Sequence, residues 1–349
     1  MPSALFVSIV AGIGILKIGI GWYGADQIMA SANALPKPHD YSSSGLLGPA
    51  LIRVLGLDAA GWALLAVLLI AAAVILPVLA TRLRSTDTKI WRLALIMFIC
   101  WPAAFTSIQF LGHYQDVLPI SVVIAMISRN RVLIGIGLAL AALSNPEQAM
   151  FGFIALLIAS WAPPLRIWRQ RAIAGVVVAA LWSVLAHAWL ASNDIPSRFE
   201  MLSTDLQYSV SANVSAGLTG IYSWWGPWWL LVILLALMSG KKGIFPFLIG
   251  AVALPGALTI ITVDGTRVFA SIAAPIGVAM ALSYLGASGL TDKKPKEQAP
   301  LNSANSLTNS IALWACALVL LPALMSNVGA STFLSNWQFV VTQVTDRLQ

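Results

Sequence analysis

Apolar residues in this chain gather into long runs broken by short polar gaps, and the runs recur from one end of the sequence to the other. A bilayer core of about 30 Å takes roughly 20 apolar residues per helical crossing, so the pattern predicts a bundle of transmembrane helices. The runs cover residues 4 to 24, 59 to 81, 92 to 111, 117 to 128, 132 to 144, 148 to 163, 173 to 191, 227 to 239, 244 to 263, 268 to 287 and 308 to 329. The expected fold is all-α and polytopic, with about eleven spans (9 to 13). The fourth to sixth runs are separated only by Arg129-Asn130-Arg131 and Asn145-Pro146-Glu147. They read as tightly packed short helices or as re-entrant ones buried in protein.

Two gaps have a character of their own. Gly45 to Leu57 carries apolar residues at helical spacing over about three turns, too short to span, and is expected to lie on the membrane surface as an amphipathic helix. Residues 288 to 307 are rich in Lys, Pro, Ser and Asn without periodicity and read as a flexible linker before a last span.

Composition agrees with the pattern. With 59% hydrophobic and 9% charged residues and a mean hydropathy of +0.85, a soluble domain of 349 residues is excluded. The first run lacks a basic leader and a clear cleavage site and is expected to be a retained span. Cys100 and Cys316 both fall inside apolar runs, where small buried hydrophobes are expected rather than a disulfide or a metal site.

Charge changes the picture most. Fourteen of the twenty Lys and Arg fall in five gaps: Arg82, Arg84, Lys89 and Arg92; Arg129 and Arg131; Arg166, Arg169 and Arg171; Lys241 and Lys242; Lys293, Lys294 and Lys296. Placing the N-terminus inside puts all five in the cytoplasm, as the positive-inside rule requires. The net charge of +7 is then topogenic, and no nucleic-acid partner is expected. The opposite face collects most of the acids.

That outer face holds the candidate chemistry. Asp26 and His39-Asp40-Tyr41 lie in the first outer loop beside the surface helix, where a carboxylate suits a base acting at a lipid headgroup. Gly112-His113-Tyr114-Gln115-Asp116 concentrates polar side chains at the start of a span, more than a helix cap needs. Asn145-Pro146-Glu147 combines a cap, a first-turn proline and an acid favoured by the helix dipole. Asp264 and Arg267 flank Gly265-Thr266, where a guanidinium near the hydrocarbon boundary takes either the neighbouring acid or a phosphate as partner. Trp224 and Trp225, with Trp228 and Trp229, form an aromatic cluster that reads as an interfacial belt or as a platform for a sugar ring.

The order of these elements resembles the glycosyltransferase C superfamily, in its bacterial polyprenyl-phosphate mannosyltransferase-like branch. Asp26 follows the first span as the family's catalytic acid does, Asp40-Tyr41 leads into a juxtamembrane helix, and the turns at 112 to 116 and 144 to 147 occupy similar places. Asn145 stands where a Lys is expected, which shifts donor-phosphate binding toward Arg267. The resemblance implies a catalytic transmembrane core over 1–287, a cytoplasmic linker over 288–307, and a last span with an outer tail over 308–349. It implies sugar transfer from a polyprenyl-phosphate-linked donor to a glycan, lipid or protein acceptor, with Asp26 or Asp40 as base. His39, His113, Gln115, Asp116, Glu147, Asp264 and Arg267 are expected to bind donor or substrate. A divalent metal is left open, because the first outer loop has no Asp-x-Asp. The implied setting is a bacterial inner membrane with the active site facing outward. A transporter or lipid flippase, and a non-catalytic membrane subunit, are the alternatives.

Overall fold

The computed structural model describes residues 3–18, 25–85, 87–109, 111, 114–204, 206–262, 265–286, 304–321, 324–326 and 333–335. The chain opens with α1 (Ser3–Ile18), α2 (Asp26–Ala34) and α3 (Leu47–Leu55). Then come α4 (Ala59–Arg84), α5 (Thr88–Ile99), α6 (Pro102–Gln109), α7 (Leu118–Ile127), α8 (Arg131–Ser144) and α9 (Pro146–Ala159). They are followed by α10 (Arg169–Ala191), α11 (Arg198–Thr204), α12 (Leu206–Ser215) and α13 (Gly217–Trp225). Next are α14 (Trp229–Met238), α15 (Gly240–Leu248) and α16 (Leu254–Ile260), the last two joined through a π-helical stretch, Ile249–Ala253. After α17 (Gly265–Ile272), α18 (Ala274–Tyr284) and α19 (Ala304–Leu320), β1 (Leu324–Ser326) pairs antiparallel with β2 (Phe333–Ser335). The fold is otherwise helical among the described residues.

Four helical stretches are long and apolar enough to cross a membrane: Ala59–Arg84, Pro163–Ala191, Gly220–Met238 and Gly240–Ile260. Two bent pairs raise the number to six if each is one span, Thr88–Ile99 with Pro102–Ile108 at 48° and Thr266–Ile272 with Ala274–Tyr284 at 59°. A proline accounts for each bend, Pro102 and Pro275, since neither can donate an amide to the preceding turn. The remaining apolar runs form helices of 10–17 residues. The expected linker lies outside the described residues up to 303, and α19 already begins within its last part.

α4 shows how a sequence without polar periodicity still selects a face. Asp58 caps it by accepting from the Gly61 amide at 2.7 Å. Trp62, Ala66, Ile70, Ala73 and Pro77 are buried at helical spacing, while Leu64, Leu68, Leu79 and Leu83 are exposed. An apolar outer face is what a lipid environment asks for.

α9 is the hub. It packs on α10, α17, α18, α15 and the π-helical stretch. Small residues permit the approach: a Cβ on Gly152 would lie 2.6 Å from the Ile272 carbonyl oxygen, and one on Gly250 would lie 2.3 Å from the Ala155 carbonyl oxygen. The start of α9 is thereby held by the most tightly packed part of the bundle.

The basic gaps come together at one end. Arg84 Nη2 donates to the Ile127 carbonyl at 2.9 Å. Arg171 donates to the carbonyls of Ala125, Met126 and Ser128, so the last turn of α7 is capped by two guanidinium groups from α4 and α10. A Cβ on Gly243, beside Lys241 and Lys242, would meet Pro163 Cδ at 2.7 Å, which brings that gap to the same region as Arg166. Four of the five basic gaps thus converge, and the fifth, 293–296, lies outside the described residues.

Candidate functional site

The first loop folds into a hydrogen-bonded corner. Asp40 begins a 3-10 turn, Tyr41–Ser44, as its cap: Oδ1 accepts from the Ser42 amide at 2.8 Å and the Ser42 hydroxyl at 2.5 Å. Its Oδ2 accepts from Gln27 Nε2 at 3.1 Å. Ser43 Oγ in turn accepts from the amides of His39 (2.9 Å) and Asp40 (3.4 Å), closing a capping box. All of the Asp40 carboxylate is therefore engaged in holding the loop. Asp26 differs: it is the exposed first residue of α2, at the positive end of the helix dipole. His39 is exposed. The surface helix expected over Gly45 to Leu57 is α3, ended by Gly56 in the left-handed region at φ 63°, with Val54 and Leu55 facing outward.

At the start of α9, Pro146 blocks continuation of α8 and Asn145 becomes the cap, accepting from the Gln148 amide at 3.2 Å. Glu147 follows in the first turn and is buried. Its Oε2 lies 3.5 Å from Arg198 Nη1, and its Oε1 lies 3.8 Å from His187 Nε2. Arg198 Nη1 also donates to Asn145 Oδ1 at 3.1 Å, and the guanidinium sits 5.7 Å from the centre of the Tyr41 ring. One side chain so links the cap of α9, its buried acid and the first loop. A further tie runs from Trp182 Nε1 to the Ser44 carbonyl at 3.4 Å.

His187 is oriented from behind. Its Nδ1 is 2.7 Å from the Ser183 carbonyl, which requires a proton on Nδ1 and leaves Nε2 turned to Glu147. A second proton on Nε2 converts that contact into an ion pair. Arg198 is placed by a capping box of its own: Ser197 Oγ accepts from the Glu200 amide at 3.3 Å, and Glu200 Oε2 accepts from the Ser197 amide. That amide bond, then the Ser197 hydroxyl, and last the charge of His187 hold the Glu200 carboxyl below its usual range. Both ends of the Glu147 site are therefore ordered, and the Arg198 end is charged.

Several polar atoms here have not been matched by protein. Glu147 Oε1 and Oε2, Gln148 Oε1 and Asn145 Nδ2 are buried and make no hydrogen bond. Buried polar atoms are seldom left so, and a carboxylate in this position draws hydroxyl or amide donors. The Arg198 side chain is 13% exposed and His187 28%, against 5% for Glu147, so the cluster reaches the surface through Arg198 and His187.

The other expected residues distribute as follows. Asp116 is buried in the 3-10 turn Tyr114–Val117, which also carries Gln115 and packs against α3, α4 and α8. His113 and Asp264 lie outside the described residues. Arg267 is on α17, half-buried, a helix that packs against α9 and α6. Trp225 corrects an expectation: it is 1% exposed, donates from Nε1 to the Ala251 carbonyl at 3.0 Å and lies parallel to buried Trp228 at 6.3 Å. It packs the core and offers no face to a sugar. Trp224 is stacked on Phe269 at 4.9 Å and 9°. Among the described residues, no three of His, Cys, Asp and Glu are grouped so as to hold a metal ion.

Sequence reasoning placed Asp40 and Glu147 among the candidates but missed Arg198 and His187. A signal existed for Arg198, a cation in a gap whose other charges are Asp194, Glu200 and Asp205, just after a Ser and two residues before a Glu. His187 carried none beyond being ionisable inside an apolar run. No protein-family model, no curated protein and no solved structure matches this chain.

Proposed function

We propose that this chain is a membrane glycosyltransferase of the glycosyltransferase C type, moving a sugar from a polyprenyl-phosphate donor to an acceptor at the face that carries Glu147 and Arg198. The observation that supports it best is the Arg198 bridge: a guanidinium at the surface of the bundle, steadied by Asn145, Glu147 and Tyr41. Such a fork matches a phosphate oxygen pair, and the His187 ring stands beside it at the same carboxylate. In the transfer, the acceptor hydroxyl attacks the anomeric carbon and gives its proton to a carboxylate. The carbon–oxygen bond to the phosphate breaks, and Arg198 balances the charge that the leaving phosphate gains. Asp26 is the better base of the two first-loop acids, because the Asp40 carboxylate already accepts three hydrogen bonds. Arg267 and Trp224 remain donor contacts in this reading.

The same reading takes the short helices α7, α8 and α9 as crossings packed inside the bundle, giving about eleven spans with the N-terminus in the cytoplasm. The site then faces outward from a bacterial inner membrane.

The test is transfer from a radiolabelled polyprenyl-phosphate sugar in reconstituted vesicles. Loss of transfer in Asp26→Asn, with the melting temperature unchanged, is the expected result; full transfer in the Asp26→Asn, Asp40→Asn double variant would sink the mechanism.

One observation favours a second reading, transport coupled to protons. His187, on a helix long enough to cross a membrane, lies 3.8 Å from the buried Glu147 carboxylate at the start of α9, and such ionisable pairs mark ion paths in carriers. Proton uptake by vesicles that depends on Glu147, without sugar transfer, selects it.

A further inference from the structure

The basic end of the bundle has a property that capping alone leaves unexplained. Arg84 donates to the Ile127 carbonyl and Arg171 to the Ser128 carbonyl, so their guanidinium groups meet at adjacent carbonyls, and Arg129 is the next residue in the chain. Three guanidinium groups therefore stand in a repelling series, with Arg131 two residues beyond. Arg129 and Arg131 are exposed at the turn between α7 and α8. Like charges gathered this closely favour an anion that can lie among them.

Two residues adjoining these arginines in the chain are apolar and exposed. Leu83, next to Arg84, is 86% exposed, and Val132, next to Arg131, is 67% exposed. A free phosphate gains nothing from such side chains. An amphiphile gains from both.

We infer that the arginine series at the junction of α4, α7, α8 and α10 is a binding site for the headgroup of an anionic phospholipid, with its acyl chains against Leu83 and Val132. The phosphate bridges Arg84 and Arg129 from the surface, relieves the repulsion between them, and leaves the hydrogen bonds of Arg84 and Arg171 to α7 in place. The site is separate from the Glu147 cluster. Arg171 and His187 lie 16 residues apart on α10, about 24 Å along a helix axis, so the two polar groups sit near opposite ends of one helix. The inference does not depend on the proposed sugar transfer.

Full-length protein in neutral detergent tests it. Phosphatidylglycerol, phosphatidylcholine and inorganic phosphate are titrated in parallel, with bound lipid read by native mass spectrometry and stability by melting temperature. Phosphatidylglycerol is expected to bind and raise the melting temperature, phosphatidylcholine and phosphate to do neither. Arg129→Gln with Arg131→Gln, both exposed, keeps Arg84 and Arg171 on the carbonyls of α7 and should bind phosphatidylglycerol roughly 30-fold more weakly. Leu83→Asn with Val132→Asn should also weaken it while leaving the arginines untouched. Equal retention of the two lipids, wild-type affinity in the double arginine variant, or an equal effect of inorganic phosphate would each overturn the assignment.

Discussion

Arg198 Nη1 donates to Asn145 Oδ1 at 3.1 Å while lying 3.5 Å from Glu147 Oε2, so a residue of α11 holds the cap residue of α9, 53 positions earlier in the chain. The same guanidinium rests against Tyr41 of the first loop. Three segments far apart in the chain depend on one side chain.

Removing that side chain should therefore cost stability as well as activity. Arg198→Gln leaves the Glu147 carboxylate buried beside His187 alone, and a buried charge that loses its partner costs about 3–5 kcal/mol. Thermal melting in detergent should register the loss. Adding Glu147→Gln should recover a substantial part of it, and strict additivity of the two changes would show that the pair is not coupled. Arg198→Lys should recover charge but not the contact to Asn145.

Asp26 and Asp40 should separate cleanly. Asp40→Asn weakens a cap with three hydrogen bonds and should lower stability by about 1 kcal/mol. Asp26→Asn changes an exposed residue and should leave melting unaltered while stopping transfer. Equal melting losses in the two variants would contradict the assigned roles.

Glu200 carries a pH dependence of known sign. Its carboxyl in the fold is held below the usual 4.5 by the Ser197 amide, so it contributes stability that is present above 4.5 and is lost as pH falls through the lower folded value. The difference in melting temperature between wild type and Glu200→Gln should be present at pH 7 and shrink progressively under acid conditions. A difference that grows with acid would reverse the sign and remove the capping box from the account.

Packing at α9 should be intolerant of added volume. Gly152→Leu drives a side chain into the Ile272 carbonyl, 2.6 Å from where its Cβ must sit, and a cost of about 1–3 kcal/mol is expected from overpacking. Because the site hangs on the first turn of α9, transfer should fall along with melting temperature. Wild-type transfer in a destabilised Gly152→Leu protein would uncouple hub and site.

Trp225→Phe should act on the core. It removes the indole N–H from the Ala251 carbonyl, a buried acceptor whose loss of partner costs about 1–3 kcal/mol. Melting temperature should fall with the apparent KM for donor unchanged; a raised KM at full stability would restore the platform role.

Much of the architecture was legible in residues. Asp58 capping α4, Asn145-Pro146 starting α9 and Gly56 ending α3 are local signals, because each satisfies or releases backbone groups within one turn. A short helix after the first run also appears where its apolar spacing predicts one. The crossing count was less legible: apolar runs of 10–17 residues have the composition of a span without its length, and composition does not say whether a helix faces lipid or protein. Trp225 shows the same limit, since an indole at an interface and one in a core read alike until its N–H finds the Ala251 carbonyl.

What the sequence determined by itself is the membrane character, the helical elements and the segregation of charge, all set by local composition and by the energy of apolar side chains in lipid. The tertiary structure decided which charges meet. Arg198 with Glu147, and Arg84 with the end of α7, are contacts across 51 and 43 residues. Such contacts depend on how close helices approach at glycines such as Gly152 and Gly250, a three-dimensional property that no local pattern encodes.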